Sequence, residues 1–119
     1  MLGGKTCMKG LEPDLQAAES SVRHFERVLA LTKHLATRGI AIRGHEYEPH
    51  FFGMWKIVAG SFPHRYQFLW DARDQILTIS EASFNEFGSQ DGDWKPYGER
   101  SIDARHGADP FKYVQEFFE

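Results

Sequence analysis

The sequence lacks the features that define several specialised classes of protein. Its single cysteine, Cys7, cannot form a disulfide bond within the chain, which excludes a disulfide-stapled domain and fits a reducing compartment. Apolar runs such as residues 57–59 are far shorter than the ~20 residues of a membrane helix, so we expect neither a membrane span nor a signal peptide. We therefore expect a cytoplasmic protein.

Basic residues are too few and too dispersed for a nucleic-acid-binding surface. Residues 1–39 carry a net charge of +2 and residues 40–119 a net charge of −5, which gives the chain its net charge of −3. Because nucleic-acid binding depends on clustered Lys and Arg side chains, we expect no nucleic-acid partner. The acidic second part would instead attract a basic protein partner, as an acidic inhibitor does.

The size and composition are those of one globular domain, since 41% of the 119 residues are hydrophobic and 26% are charged. Residues 1–10 hold three glycines and two lysines without apolar periodicity, which predicts a disordered leader. The single folded domain should therefore comprise residues 11–119. Cys7 falls in the leader, so we do not expect it to act as a nucleophile.

Aromatic residues are almost absent from the first 45 positions, where Phe25 is the only one of 17. Residues 13–38 instead place apolar side chains at spacings of three and four, which predicts a long amphipathic helix with one apolar stripe. Pro13 suits the first turn of this helix, and Gly39 suits the left-handed residue that ends it. The stripe comprises Leu15, Ala18, Val22, Phe25, Val28, Leu29, Leu31 and Leu35.

The other 16 aromatic residues belong to a part of the chain whose composition favours β-strands. Alternating apolar residues and turn residues predict strands over 40–45, 54–60, 65–71 and 74–81, which form an antiparallel meander. Between the second and third strands, the register that pairs Trp55 with Trp70 keeps Lys56 outside the core, whereas a one-residue slip would bury its ammonium group. The core face then carries Trp55, Tyr66, Phe68 and Trp70.

The opposite face of the predicted sheet carries a small apolar patch. A two-residue tip at 72–73 would pair Trp70 with Gln75 and Leu69 with Ile76 across the third hairpin. Leu69 and Ile76 would then be direct cross-strand partners, and we predict a homodimer interface there.

Residues 84–108 are rich in Gly, Asp and Ser and predict a long polar loop with a short fifth strand near 100–103. Trp94 and Tyr97 lie in that loop, where exposed aromatic side chains are common anchors for a partner or a ligand. Asp109 and Pro110 predict the cap and first turn of a short C-terminal helix. The predicted fold is α+β, with both helices on one face of a four- to five-stranded antiparallel sheet.

One segment concentrates the side-chain types that bind metal ions, since it contains His45, Glu46, Glu48 and His50. Its two histidines are five residues apart with Pro49 between them, whereas the metalloprotease motif needs two histidines four apart on a helix. We therefore expect a polar strand end without metal or cofactor. The chain also lacks a Gly-x-Ser-x-Gly elbow and a phosphate-binding glycine loop, so we assign no catalytic residues.

The first hypothesis of function is a non-enzymatic interaction module. It would be a homodimer through Leu69 and Ile76 and would contact its partner with Trp94 and Tyr97. The absence of catalytic signatures favours this hypothesis.

The alternative hypothesis is a small-molecule-binding protein or an enzyme. Its pocket would lie between the first helix and the aromatic face of the sheet and would take a small apolar ligand. The side chains that line it would be Trp55, Tyr66, Phe68 and Trp70. Unfilled volume beside these side chains, together with convergent polar groups, would favour this alternative.

Overall fold

The computed structural model describes residues 12–85 and 90–119 and confirms the predicted α+β class. An N-terminal helix, a five-stranded antiparallel meander and a short C-terminal helix follow one another along the chain. The predicted leader at residues 1–10, with Cys7, lies outside the described residues. The elements are α1 (Leu15–Ala36), β1 (Ala41–Glu48), β2 (Met54–Gly60), β3 (His64–Asp71), β4 (Ile76–Phe84), β5 (Gln90–Ser101), a 3-10 turn (Ala104–His106) and α2 (Pro110–Phe117).

Helix α1 begins and ends within two residues of the predicted bounds. The Asp14 carboxylate accepts a hydrogen bond from the Ala17 N–H at 3.1 Å, so Asp14 is the N-cap and Pro13 precedes the helix instead of forming its first turn. After the helix, Gly39 adopts the predicted left-handed conformation with a φ of +74°. A glycine tolerates this conformation, which lets the chain turn directly into β1.

The apolar side chains of α1 do not form the single stripe that their spacing predicts. Val28, Leu31 and Leu35 pack against the sheet. Four others are each more than half exposed, namely Leu15, Val22, Phe25 and Leu29. Spacings of three and four residues are compatible with one apolar stripe or with two. The sheet covers only one side of α1, so the apolar residues divide into a buried stripe and an exposed stripe.

The five strands pair in the order β1-β2-β3-β4-β5, each antiparallel to its neighbours. The β2–β3 register is the predicted one, with Trp55 opposite Trp70. Lys56 therefore points away from the core, and its Nζ lies 3.0 Å from a carboxylate oxygen of Glu46. A one-residue slip would bury this ammonium group, which explains why the register could be predicted.

The β3–β4 register differs from the prediction by two residues. Trp70 lies opposite Leu77 instead of Gln75, because four residues, 72–75, separate the two strands. The Asp71 carboxylate accepts hydrogen bonds from the N–H groups of Arg73 and Asp74 at 3.0 and 3.1 Å, which stabilises this longer turn. A shift of two residues leaves every side chain on its predicted face.

The same shift alters the predicted apolar patch. Leu69 lies opposite Thr78 and Ile76 lies opposite Asp71, so Leu69 and Ile76 are diagonal neighbours and not direct partners. Leu69 is 37% exposed, and Ile76 is partly buried. Their part in a homodimer interface stays a prediction.

Strand β5 replaces most of the predicted long loop. Trp94 and Tyr97 therefore lie in a strand, and the strand ends at Ser101 instead of covering 100–103. Pro96 is compatible with this position because β5 is an edge strand, which pairs on one side only. The sequence of this segment lacks regular apolar alternation, so its composition does not indicate a strand. The strand is recognised only by its pairing with β4.

Both helices pack on one face of the sheet, which we call the inner face. Buried side chains alternate along β2, β3 and β4 and meet Leu31 and Leu35 of α1 and Phe111 and Val114 of α2. The sheet contributes Trp55, Ile57, Ala59, Phe68, Trp70, Leu77 and Ile79. Within the described ranges, no helix combines the length and the apolar character that crossing a bilayer requires.

Candidate functional site

An open cavity lies at one end of the inner face. Helix α1, the turn between β1 and β2, and the connection that leads into α2 surround a volume of about 640 Å³. Binding pockets for small molecules commonly have volumes of about 300–1,000 Å³. We call this cavity the aromatic pocket, and its lining includes Ser20, Arg23, His24, Arg27, Tyr47, Phe52, Trp55, Trp70, Ala104, Gly107, Ala108, Asp109 and Phe111.

Three aromatic side chains form the floor of the aromatic pocket. Trp55 and Trp70 are opposite each other in the β2–β3 ladder. Phe111, in the first turn of α2, stacks on Trp55 with ring centroids 4.6 Å apart and planes 28° apart. All three side chains are more than nine-tenths buried, so the surrounding core fixes their positions. The floor is therefore rigid and apolar.

One face of α1 supplies a polar wall. Ser20, Arg23 and Arg27 recur at intervals of three and four residues, which places them in one row along the helix. Arg23 Nη2 lies 3.4 Å from Ser20 Oγ. Arg27 instead forms an ion pair with Asp109, the N-cap of α2, and its guanidinium carbon lies 4.8 Å from the centroid of the Phe111 ring. With two guanidinium groups and one carboxylate, this wall has a net positive charge.

Two histidines and a tyrosine connect α1 to β1 beside the pocket. His24 stacks on Tyr47 with ring centroids 3.8 Å apart, and His24 Nε2 lies 2.7 Å from His45 Nε2. Burial, together with smaller contributions from the charges of His45 and Arg27, lowers the pKa of His24 from 6.5 to about 4. Burial also lowers the pKa of His45. Both rings are thus neutral at pH 7, and the N–H of one donates to the nitrogen of the other.

Phe52 forms part of the rim of the pocket. Its φ is +58°, and its side chain is 69% exposed. The left-handed region is unfavourable for a bulky residue, and residues held there are concentrated at functional sites. The turn between β1 and β2 therefore holds a large aromatic side chain in water next to the cavity.

The metal-ligating side chains of segment 45–50 do not converge. Each has a different partner: His24 for the His45 ring, Lys56 for Glu46, the His50 N–H for Glu48, and Asp14 for the His50 ring. In the part of the chain that the structure describes, no group of three His, Cys, Asp or Glu side chains could hold a metal ion. The segment is a polar strand end followed by a turn.

The five side chains predicted to bind a ligand or partner lie in three places. Trp55 and Trp70 form the pocket floor. Tyr66 and Tyr97 contact each other at the other end of the inner face, with ring centroids 5.6 Å apart, while Trp94 lies 6.2 Å from the Phe84 ring. The structure therefore brings only the two tryptophans of the floor into the aromatic pocket.

The polar wall and the rim are not among the residues predicted from the sequence. The available signal for the wall is the spacing of Ser20, Arg23 and Arg27, which places the three side chains in one polar row along the helix. Phe52 carries no comparable signal, because its exposure depends on the conformation of the turn.

The aromatic pocket combines a rigid aromatic floor with an arginine at its wall. Aromatic surfaces stack on flat ligands, and a guanidinium group pairs with carboxylate, sulfonate or phosphate oxygens through parallel hydrogen bonds. This arrangement suits a ligand that has both parts. Comparisons with protein-family models, with curated proteins and with solved structures found no match to this chain.

Proposed function

We propose that this protein binds a small anionic ligand with a flat apolar body in the aromatic pocket. The observation that carries the proposal is the meeting of the Trp55 and Trp70 floor with the Arg23 guanidinium at one cavity. The floor would stack on the apolar body, while Arg23 would pair with the anionic group. This proposal develops the alternative hypothesis from the sequence, and it adds a charge to the ligand.

The environments of the two arginines support an anionic ligand. Arg27 already pairs with Asp109, which neutralises its charge. Among the described residues, Arg23 is paired with the neutral Ser20 hydroxyl and with no carboxylate. Arg23 is therefore the cation that a ligand can use without displacing an existing ion pair.

The histidine of the pocket supports binding more than acid–base catalysis. His24 shares its Nε2 hydrogen bond with His45, and its pKa of about 4 keeps it neutral at pH 7. A general acid or base works best when its pKa lies near the operating pH. His24 is thus better suited to holding α1 against β1 than to transferring protons.

A matched pair of fluorescent probes tests the proposal. Anilinonaphthalene sulfonate is a flat aromatic anion, and phenylnaphthylamine is its uncharged counterpart. We expect the sulfonate to bind with one-to-one stoichiometry and to change the fluorescence of Trp55 and Trp70. The variant Arg23→Gln should weaken sulfonate binding about tenfold, the effect of losing one charged hydrogen bond, and should leave phenylnaphthylamine binding unchanged.

Arg38→Gln is the control, because Arg38 is an exposed arginine just after α1 and outside the pocket lining. It removes the same charge from the protein but should leave both affinities unchanged. Equal losses of sulfonate affinity in the two variants would show that the probe responds to net charge alone. That result, or binding of several probe molecules without saturation, would contradict the proposal.

The interaction module is the second candidate function. Its support is the outer face of the sheet, where the described residues provide no covering element and Leu69 is 37% exposed. The basic partner predicted from the charge of residues 40–119 belongs to this candidate and stays a prediction. Retention of the protein on a positively charged peptide matrix, abolished by salt, would support it.

A further inference from the structure

Helix α1 carries a second, largely exposed apolar stripe beside the one that packs on the sheet, and its Phe25 ring reaches β1, with its centroid 5.1 Å from that of His45. Leu15, Val22, Phe25 and Leu29 are each more than half exposed. The stripe occupies positions 15, 18, 22, 25, 29, 32 and 36, so that steps of three and four residues alternate along the entire helix. We call these positions the outer seam. Val22, Phe25 and Leu29 line a shallow groove at its centre.

The spacing of the outer seam is characteristic of helix pairing. Alternating steps of three and four give a repeat of 3.5 residues, which is the a/d pattern of a coiled coil. The pattern continues for three heptads over 22 residues, or about 33 Å of helix. Large apolar side chains aligned in this way along a monomer surface usually mark an interface.

We infer that the outer seam binds the same seam of a second copy of this chain, with the two α1 helices antiparallel. Six of the seven seam positions are apolar, Thr32 being the exception, and such a stripe is self-complementary, as a twofold interface requires. The charges that flank the seam favour a second copy as its occupant. Three charged residues occupy the e positions of the heptads: Glu19 lies beside the first half of the seam, Glu26 near its centre and Lys33 beside its second half.

The charges favour the antiparallel arrangement. In an antiparallel pair centred near residue 26, Glu19 of one copy lies near Lys33 of the other, and Val22 lies near Leu29. In a parallel pair the e positions would instead face g positions, which are Ser21, Val28 and Leu35 and carry no charge. Only the antiparallel pair therefore gains two ion pairs between copies.

The inferred interface leaves the aromatic pocket open. Arg23 and Arg27 of the pocket wall lie on a different side of α1 from the seam, and Leu31 and Leu35 face the core. A dimer of this kind is thus independent of the proposed ligand binding. A failure of one proposal leaves the other standing.

Light scattering and sedimentation of the full chain test the inference. At high micromolar concentration we expect a mass about twice 13.7 kDa. Leu29→Glu and Val22→Glu should each weaken dimerisation at least tenfold, because each introduces a carboxylate into the seam of both copies at once. Both residues are exposed in the single copy, so the circular dichroism spectrum should be unchanged.

Leu69→Glu is the matched control, because Leu69 is an exposed leucine on the outer face of the sheet. It should leave the dimer intact. Three results would overturn the inference. The parent protein could be monomeric at high micromolar concentration, or the dimer could persist in both seam variants. In the third result, Leu69→Glu dissociates the dimer and Leu29→Glu does not. The last result would favour the interface predicted around Leu69 and Ile76.

Charge exchange tests the antiparallel arrangement. Glu19→Lys and Lys33→Glu should each weaken the dimer several-fold, and the double variant should recover most of the affinity. Glu26→Gln should tighten the dimer, because the two Glu26 side chains meet near the twofold axis. Additive losses in the double variant would exclude the antiparallel pair.

Discussion

The two ends of the inner face use the same kind of residue in opposite ways. At one end, which we call the closed end, the rings of Tyr66, Phe68, Phe117 and Phe118 pack edge to face with centroids 4.9 to 5.9 Å apart. At the other end, Trp55, Trp70 and Phe111 leave about 640 Å³ open. Aromatic composition alone therefore does not determine whether a region becomes core or binding site.

The course of the chain around α2 explains the difference. Phe117, the last residue of α2, and Phe118, its C-cap, cover the closed end. The open end is bordered instead by the connection before α2, which contributes the small residues Ala104, Gly107 and Ala108 to the pocket lining. A cavity remains because these residues provide little side-chain volume above the two tryptophans.

The largest expected effect concerns the closed end. Phe68 is fully buried, so Phe68→Ala should lower the free energy of unfolding by about 3–5 kcal/mol through lost burial and a new cavity. Urea unfolding should show a lower midpoint with an unchanged slope. Phe51→Ala removes the same atoms from a side chain that is mostly exposed, and it should change the stability by at most about 0.5 kcal/mol. Similar losses in the two variants would contradict the assignment of Phe68 to the core.

The next effect is a dependence on pH that originates beside the open end. The pKa of His24 falls from 6.5 in the unfolded chain to about 4 in the folded protein. Between these values the unfolded chain binds a proton that the folded protein does not, so stability decreases as the pH falls from about 6.5 to about 4. The full shift corresponds to about 3 kcal/mol. The lowered pKa of His45 acts in the same direction.

Urea unfolding of the parent protein and of His24→Gln across this pH range measures the effect. The variant should be less stable at pH 7, because it loses the stack on Tyr47, but its stability should change less with pH. His64→Gln replaces an exposed histidine and should keep the pH dependence of the parent. Parallel curves for the parent and His24→Gln would show that His24 is not the group responsible.

The face of the sheet on which a side chain lies could be predicted from the sequence more reliably than its cross-strand partner. Lys56 allowed the β2–β3 register to be predicted, since only one register keeps its charge out of the core. Between β3 and β4 no charged residue distinguishes one register from another. The predicted turn had two residues, whereas the observed turn has four. The faces were still predicted correctly because the side-chain period of a strand is two.

The candidate site was predictable only in part. Trp55 and Trp70 follow from strand alternation, but the cavity above them depends on a contact between distant parts of the chain. Gln75 Oε1 accepts hydrogen bonds from the N–H groups of Ala104 and Arg105 at 2.7 and 3.3 Å and so positions the connection before α2. Nothing in the local pattern around Gln75 indicates a partner about 30 residues away.

Gln75 and Phe52 are the two residues other than glycine with a positive φ among the described residues, and both have a φ of +58°. The Gln75 side chain compensates for its conformation, since its amide also donates to the Ala72 carbonyl at 2.6 Å. Phe52 is 69% exposed, and among the described residues no hydrogen bond of its side chain could offset the cost of the left-handed backbone. We therefore expect Phe52 to serve the pocket and Gln75 to serve the fold.

The smallest expected change in stability belongs to Phe52→Asn. Asn tolerates the left-handed region, which costs a bulky residue about 1–2 kcal/mol, so the variant should be as stable as the parent or slightly more stable. Binding of anilinonaphthalene sulfonate should nevertheless weaken several-fold, because the aromatic rim is lost. Phe51→Asn is the control: Phe51 is equally prominent in the turn but does not line the aromatic pocket, so it should leave the affinity unchanged. A Phe52→Asn variant that loses more than about 1 kcal/mol and retains its affinity would assign Phe52 to the fold, and the rim would no longer be part of the site.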